Sequence, residues 1–274
     1  MDQNEIQAIA RELMSAYERG KMIAEPPSSR PGFDLDAAYE VESILKRARE
    51  SGGARAVGRK VGYANKAMWR VFKLPTLVWA HMYEDTVHYS DGGCAELTLP
   101  RARSLKVEPE IVFGLKEIVR EGTDAAAALE SVDWIAIGFE IIDCPYPEWK
   151  FQPADFVASF GLHAALVVGE RVPVRPESIP SIVEELPQLK VRVAKNGEFV
   201  EEGSGKASLG SPAACLAELG SAIARRFPNE PLSAGELVSS GTLTAGHLAA
   251  KGESWTVEVS GLALPPPPLS LRLR

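Results

Sequence analysis

The chain has 274 residues, 45% of them hydrophobic and 24% charged, a balance that excludes a disordered or fibrous polymer and allows a sizeable core. A formal charge of -7 argues against a nucleic-acid or anionic-membrane partner, because such surfaces need a clustered basic footprint. Small molecules are the ligands this composition leaves.

Cys94, Cys144 and Cys215 are far apart and odd in number, so they predict neither a disulfide framework nor a Cys-x-x-Cys knuckle, and a reducing cytoplasm is the expected compartment. The first twenty residues are charged throughout, unlike a secretory leader. No stretch approaches the roughly 20 continuous apolar residues that cross a bilayer.

In chain order, residues 4–19 place Ile6, Ile9, Ala10, Leu13, Ala16 and Tyr17 at helical spacing, with Gly20 as a stop. Residues 26–33, PPSSRPGF, form a breaker-rich connector. A second amphipathic helix is predicted over 35–53, with Ala38, Val41, Ile44 and Leu45 on its buried stripe and Gly52-Gly53 at its end. From residue 57 short β-like runs dominate, interrupted by helical texture at AAAALESV and SPAACLAELGSAIARRF. Asn196-Gly197 between alternating apolar residues predicts a tight hairpin, and the terminal PPPPLSLRLR reads as an extended tail. The expected organisation is an N-terminal helical region, 1–56, on a mixed, mainly β core, 57–274.

KVEPEIVFGL, 106–115, carries Glu108 and Glu110 on one face of a predicted strand, about 6–7 Å apart. Pro109 between them predicts a strand end, an edge or a bulge. The pair is either a solvated edge or a shared ligand site. WIAIGFEIID, 134–143, is apolar on both faces except for Glu140 and Asp143, so Glu140 must be protonated, paired or metal-bound. Three carboxylates from two strands need a cation to join them, and all-oxygen ligation suits Mg²⁺ or Mn²⁺.

Lys60, between Gly58 and Gly62, is either an exposed strand lysine or a partly desolvated group that binds a carboxylate or carries a proton. SSGTLTAGH, 239–247, is a plain turn or a loop offering hydroxyls and backbone N–H groups to a carboxylate. The glycine spacing excludes a phosphate-binding or dinucleotide loop, and no G-x-S-x-G elbow is present.

Taken in order, GRKVGYANKAM, VEPEIVFGL, IAIGFEIID, DFVASFGLHAALVVG, KNGEFVEEGSG, SPAACLAELG and LSAGELVSSGTLT resemble the fumarylacetoacetate hydrolase superfamily. More narrowly, the chain is similar to its 2-keto-4-pentenoate hydratase and 4-oxalocrotonate decarboxylase branch from about residue 4 to about residue 265. The resemblance implies an α+β fold, a roll of curved mixed sheets with a central metal pocket and an N-terminal helical region. It implies Glu108, Glu110 and Glu140 as ligands for Mg²⁺ or Mn²⁺, Lys60 beside the substrate, and Ser240, Gly241 and Thr242 holding the substrate's carboxylate end. It further implies a homodimer or larger homo-oligomer, with a decarboxylase as a possible partner enzyme.

The expected activity is addition of water to a 2-hydroxy-2,4-dienoate, or its 2-oxo tautomer, in aromatic-compound catabolism. Alternatives are decarboxylation of a 4-oxalocrotonate-type acid, C–C hydrolysis of an acylpyruvate-type diketone, and a non-catalytic partner of a pathway enzyme. Two departures bear on substrate. LPTLVWAHMY, 74–83, lacks the acidic residue common in that branch and offers His81, and Ala158-Ser159-Phe160 replaces its A-D-N, followed by His163. His81 and His163 are therefore the candidate acid/base residues.

Overall fold

The structure, a computed structural model, describes residues 1–99 and 101–274. Helix α1 (Gln3–Arg19) starts at a capping box in which Asp2 accepts from the amides of Asn4 and Glu5 while Glu5 returns to Asp2. It ends at Gly20, whose left-handed φ of 61° closes the last turn. Helix α2 (Leu35–Ser51) is capped by Asp34 and followed by Gly52. Both helices lie where the apolar spacing predicts them.

The chain continues through β1 (Ala56–Gly62), α3 (Lys66–Phe72), β2 (Val78–Tyr83), β3 (Val87–Tyr89), β4 (Cys94–Leu97) and β5 (Leu105–Leu115). Next come α4 (Ala125–Glu130), β6 (Val132–Asp143), α5 (Pro153–Ala158), β7 (His163–Val168), β8 (Val172–Pro173) and α6 (Ile179–Glu185). The final third holds β9 (Lys190–Lys195), β10 (Glu198–Ser204), α7 (Pro212–Arg226), β11 (Leu237–Thr242), β12 (His247–Ala249), β13 (Ser254–Ser260) and β14 (Leu269–Leu273).

A nine-stranded mixed sheet runs in the order β2-β1-β11-β5-β6-β7-β3, with β12 beside β5 and β8 beside β6. Its end strands β2 and β3 are joined by only Glu84–Thr86, which forces the sheet to curl into a roll. One face turns inward. Strand alternation gives that face Lys60, Ala80, Glu108, Glu110, Glu140 and Ser239, above an apolar floor of Met82, Val112, Ala136, Leu166, Val168 and Leu237. The outer face packs under the helices, and the Tyr39 hydroxyl of α2 accepts the Trp79 amide of β2 at 3.1 Å. A second, five-stranded sheet, β10-β9-β13-β14-β4, abuts the first. The β9–β10 hairpin turns at Asn196 and Gly197, with φ of 52° and 85°, as its Asn-Gly chemistry predicts.

The structure corrects one expectation and, for Pro109, selects the bulge from the three places expected. The terminal segment is no loose tail: β14 lies inside the second sheet, and Leu269, Leu271 and Leu273 alternate into its core. The proline run masks that two-residue period. Pro109 is neither at an end nor at an edge, because β5 is paired on both sides. Its missing N–H is tolerated because the neighbouring strand β11 bulges opposite it, between Ser239 and Thr242.

Candidate active site

Glu108 stands directly across the β5–β6 ladder from Glu140, and Glu110 is one inward step further along β5. Each can offer an oxygen within 4.8 Å of the others. Glu110 and Glu140 are fully buried, whereas Glu108 is half-buried at the open end of the row. The β11 bulge feeds this cluster. Ser239 donates its hydroxyl to Glu110 Oε2 at 2.5 Å, and the amide of Gly241 donates to the same oxygen at 2.8 Å. Gly241 has a φ of 89°, and an added Cβ would sit 2.8 Å from the Ala64 Cβ, so glycine is required where the backbone turns its N–H to the carboxylate.

Lys60 enters from β1, 2% exposed, and its Nζ pairs with Glu140 Oε2 at 2.9 Å. The same ammonium donates to the Gly161 carbonyl at 3.0 Å and lies 4.7 Å from the centre of the Phe156 ring. His163, at the start of β7, places Nδ1 2.9 Å from Glu140 Oε1 and Nε2 3.0 Å from the Thr86 hydroxyl. That hydroxyl donates its single proton to the Tyr83 carbonyl at 2.8 Å, so it accepts from His163 Nε2. With Nε2 protonated and Nδ1 facing a carboxylate, both ring nitrogens are engaged.

The turn before His163 is strained. Phe160, Gly161 and Leu162 have φ of 55°, 60° and 57°, a left-handed run that costs of order 1–3 kcal/mol at each non-glycine residue. This turn aims the Gly161 carbonyl at Lys60. A side chain on Gly161 would meet Lys60 Cδ at 2.6 Å.

Burial drives the Glu108 pKa up to about 7, with Lys60 opposing and Glu140 assisting. Burial, then Glu140 and Glu108, hold Glu110 well above the ordinary carboxylate range. Glu140 goes the other way: burial opposes its charge, but Lys60 and His163 outweigh it and lower its pKa. Burial also works against the Lys60 ammonium, yet Glu140, Glu108 and Glu110 keep its pKa above the usual lysine value. Glu110 Oε1 is buried without a partner among the described residues. A divalent cation fits this cluster, because it would use that orphan oxygen and relieve the repulsion that pushes two carboxylates towards protonation.

The predicted residues divide cleanly. Lys60, Glu108, Glu110, Glu140 and His163 come together, and Gly241 joins them through its amide. Ser240 is buried but makes no side-chain hydrogen bond among the described residues, and the Thr242 hydroxyl donates to the Thr244 carbonyl instead. His81 does not join the cluster. It lies across from Arg59 on the outer face of β1–β2, one residue out of phase with Lys60, where its Nδ1 pairs with the buried Glu42. A His–Glu pair thus exists near the N-terminal helices, on the face turned away from the carboxylates. Ser159 is spent on the fold through a 2.5 Å hydrogen bond with the Tyr146 hydroxyl.

Sequence reading missed Thr86 and the role of Ser239. The register of Ser239 with Lys60, set by the parallel β1–β11 pairing, is invisible in a linear pattern. Among the described residues, no helix is long and apolar enough to cross a membrane.

Comparison with known proteins agrees with this geometry. The model for the C-terminal domain of fumarylacetoacetate (FAA) hydrolase matches residues 54–264. A 2-hydroxyhexa-2,4-dienoate hydratase of Comamonas testosteroni is 26% identical over 95% of this chain and 96% of its own length. A 4-oxalocrotonate decarboxylase of a Pseudomonas species is 30% identical over 94% of this chain and 95% of its own. The 4-oxalocrotonate decarboxylase from Pseudomonas putida G7, complexed with magnesium and adipate, superposes with a TM-score of 0.87 at 25% identity, covering 100% of this chain and 99% of that one. With the roll, the curved mixed sheets and the matched core in agreement, the chain belongs to the fumarylacetoacetate hydrolase C-terminal family.

Proposed function

We propose that this protein is a divalent-metal-dependent lyase that adds water to a 2-hydroxy-2,4-dienoate, or its 2-oxo-4-enoate tautomer, giving a 4-hydroxy-2-oxo acid. The observation that carries the reading is the Glu108, Glu110 and Glu140 cluster with Lys60 against it, inside a roll that matches named hydratases along nearly its whole length. Mg²⁺ or Mn²⁺ held by the three carboxylates would supply Lewis-acid stabilisation of charge that develops on a 2-oxo acid.

The chain's own groups do the rest. Lys60 offers a buried ammonium next to the reacting carbons, able to meet negative charge or hand over a proton. His163, with both nitrogens committed, is a positioning residue that holds Glu140 through Nδ1 and is itself held by Thr86 through Nε2. Ser239 and the Gly241 amide hold Glu110 in place, and the bulge that includes Ser240, Gly241 and Thr242 borders the substrate's carboxylate end. His81 has no part in this chemistry.

Decarboxylation of a 2-oxo-3-enedioate is the second reading, favoured by the likeness to the two decarboxylases and using the same charge stabilisation. Acylpyruvate hydrolysis needs a base free to activate water, and neither the engaged His163 nor the outward His81 provides one. Within the same reading fall a role in aromatic-compound catabolism, a cytoplasmic location, a homo-oligomer associated with a decarboxylase, and the division into 1–56 and 57–274.

The purified protein with Mg²⁺ or Mn²⁺ should consume 2-hydroxypenta-2,4-dienoate, seen as metal-dependent loss of dienoate absorbance with 4-hydroxy-2-oxopentanoate as product. CO₂ release from 4-oxalocrotonate without hydration would move the assignment to the decarboxylase. Metal binding with no turnover of either compound or of an acylpyruvate would make the chain a non-catalytic partner.

A further inference from the structure

A cavity of about 280 Å³ lies between the C-terminal ends of α1 and α2 and the segment that leads into β5. His163 separates it from the metal cluster: Nδ1 faces Glu140, whereas the ring itself and Thr86, which accepts from Nε2, line the cavity. None of Lys60, Glu108, Glu110 and Glu140 lines it.

The charges around this cavity do not balance. Arg49 pairs with Asp85 at 2.6 Å and Arg103 with Asp143 at 2.8 Å, both half-buried, whereas Arg101 has no ion pair among the described residues. The Arg101 backbone is tightly packed, because a side chain on Gly20 at the end of α1 would come within 2.6 Å of the Arg101 carbonyl. Burial raises the pKa of the Tyr17 hydroxyl while Arg49, Arg101 and Arg103 all pull it down, so the fields of three guanidinium groups converge on one hydroxyl donor. Leu99, Ala102 and Ala164 make the remaining wall apolar.

We propose that this cavity is a second ligand site, separate from the metal cluster, for a short-chain monocarboxylate whose charged end meets Arg101 and the Tyr17 hydroxyl and whose alkyl end lies on Leu99, Ala102 and Ala164. One positive charge in excess calls for a ligand with a single negative charge, and a guanidinium matches a carboxylate in shape as well as sign. The apolar part of the wall favours a carboxylate with a short tail over inorganic phosphate. The inference is independent of the reaction assigned to the carboxylate cluster.

Calorimetric titration of the full chain, kept metal-free with EDTA, against pentanoate and its uncharged counterpart pentanamide tests this. Without a cation the three carboxylates repel an anion, so the titration reads the cavity. Pentanoate should bind once per chain, about tenfold or more tightly than pentanamide and more tightly than inorganic phosphate. Arg101→Gln, at an exposed position, should weaken pentanoate about tenfold, and Tyr17→Phe, which keeps the ring and removes the donor, about threefold. Glu110→Gln, which alters only the cluster, should leave pentanoate affinity within about threefold. No binding of pentanoate, equal affinity for pentanamide, or an affinity that Arg101→Gln leaves unchanged overturns the inference. Phosphate binding as tightly as pentanoate would overturn the carboxylate assignment. A larger change in Glu110→Gln would place pentanoate at the cluster and overturn the separate site.

Discussion

The two faces of the β1–β2 strand pair bury charge in different ways. On the outer face, Glu42 meets His81 and Glu236 meets Arg59 at 2.8 Å, so each acid has its own base. On the inner face, three carboxylates share Lys60 and His163 and leave Glu110 Oε1 unpartnered among the described residues. Both sets are buried. The outer set leaves Arg59 Nε and His81 Nε2 without partners among the described residues but balances its charges and holds α2 to the sheet, whereas the inner set carries excess negative charge and needs a cation. Excess buried charge of one sign, more than burial as such, marks the face where chemistry is expected.

The largest effect should come from Glu110→Gln, which keeps the shape of the inner cluster and removes one ligand charge: turnover should fall by about 10³-fold and Mg²⁺ affinity should collapse, with the far-ultraviolet spectrum unchanged. Full turnover with normal Mg²⁺ affinity in that variant would erase the distinction between the faces. Glu42→Leu should do the opposite. It strands His81 on the outer face at a cost of about 3–5 kcal/mol in denaturant unfolding, while Arg59 keeps Glu236 and Mg²⁺ affinity stays within about threefold. A large loss of Mg²⁺ affinity there would mean the two faces are coupled.

A smaller change is expected from Thr86→Val, which removes the acceptor for His163 Nε2 without touching a ligand: kcat should fall by about 10–100-fold, with Thr86→Ser restoring most of it. Failure of the serine variant to recover would assign Thr86 to packing alone.

The smallest effect is in pH. The Glu108 pKa is raised to about 7, and a proton there competes with the cation, so apparent Mg²⁺ affinity should rise about tenfold from pH 6 to pH 8. The sign for stability is opposite. A carboxyl whose folded pKa lies above its unfolded value of 4.5 stabilises the metal-free fold at low pH and loses that contribution as pH rises through about 7. Paired Mg²⁺ titrations and metal-free melting curves at the two pH values would show both trends.

Much of this was legible in the sequence where a period was clean. The two N-terminal helices, the Asn-Gly hairpin and the shared face of Glu108 and Glu110 all follow from spacing. Strand β2 was hard to see because all six of its residues are buried, which removes alternation, and β14 was hidden behind prolines. The site was legible as a set of ligand types, Glu140 included, and the resemblance narrowed the alternatives for it to metal ligation. Its supporting groups were not, because Ser239, Thr86 and the Gly161 carbonyl reach the cluster only through long-range register and a strained turn. His81 was misplaced for a related reason: on a strand covered on both sides, one residue decides which face a side chain serves.

The parallel pairing of β1 with β11 sets Lys60 beside Ser239, two residues far apart along the chain. No fragment ending before β11 contains the whole carboxylate environment, and closing so long a loop is slow on a polypeptide's timescale. Capture of a divalent ion during refolding would therefore act as a clock for the β1–β11 closure, starting only after β11 has docked beside β1 and β5.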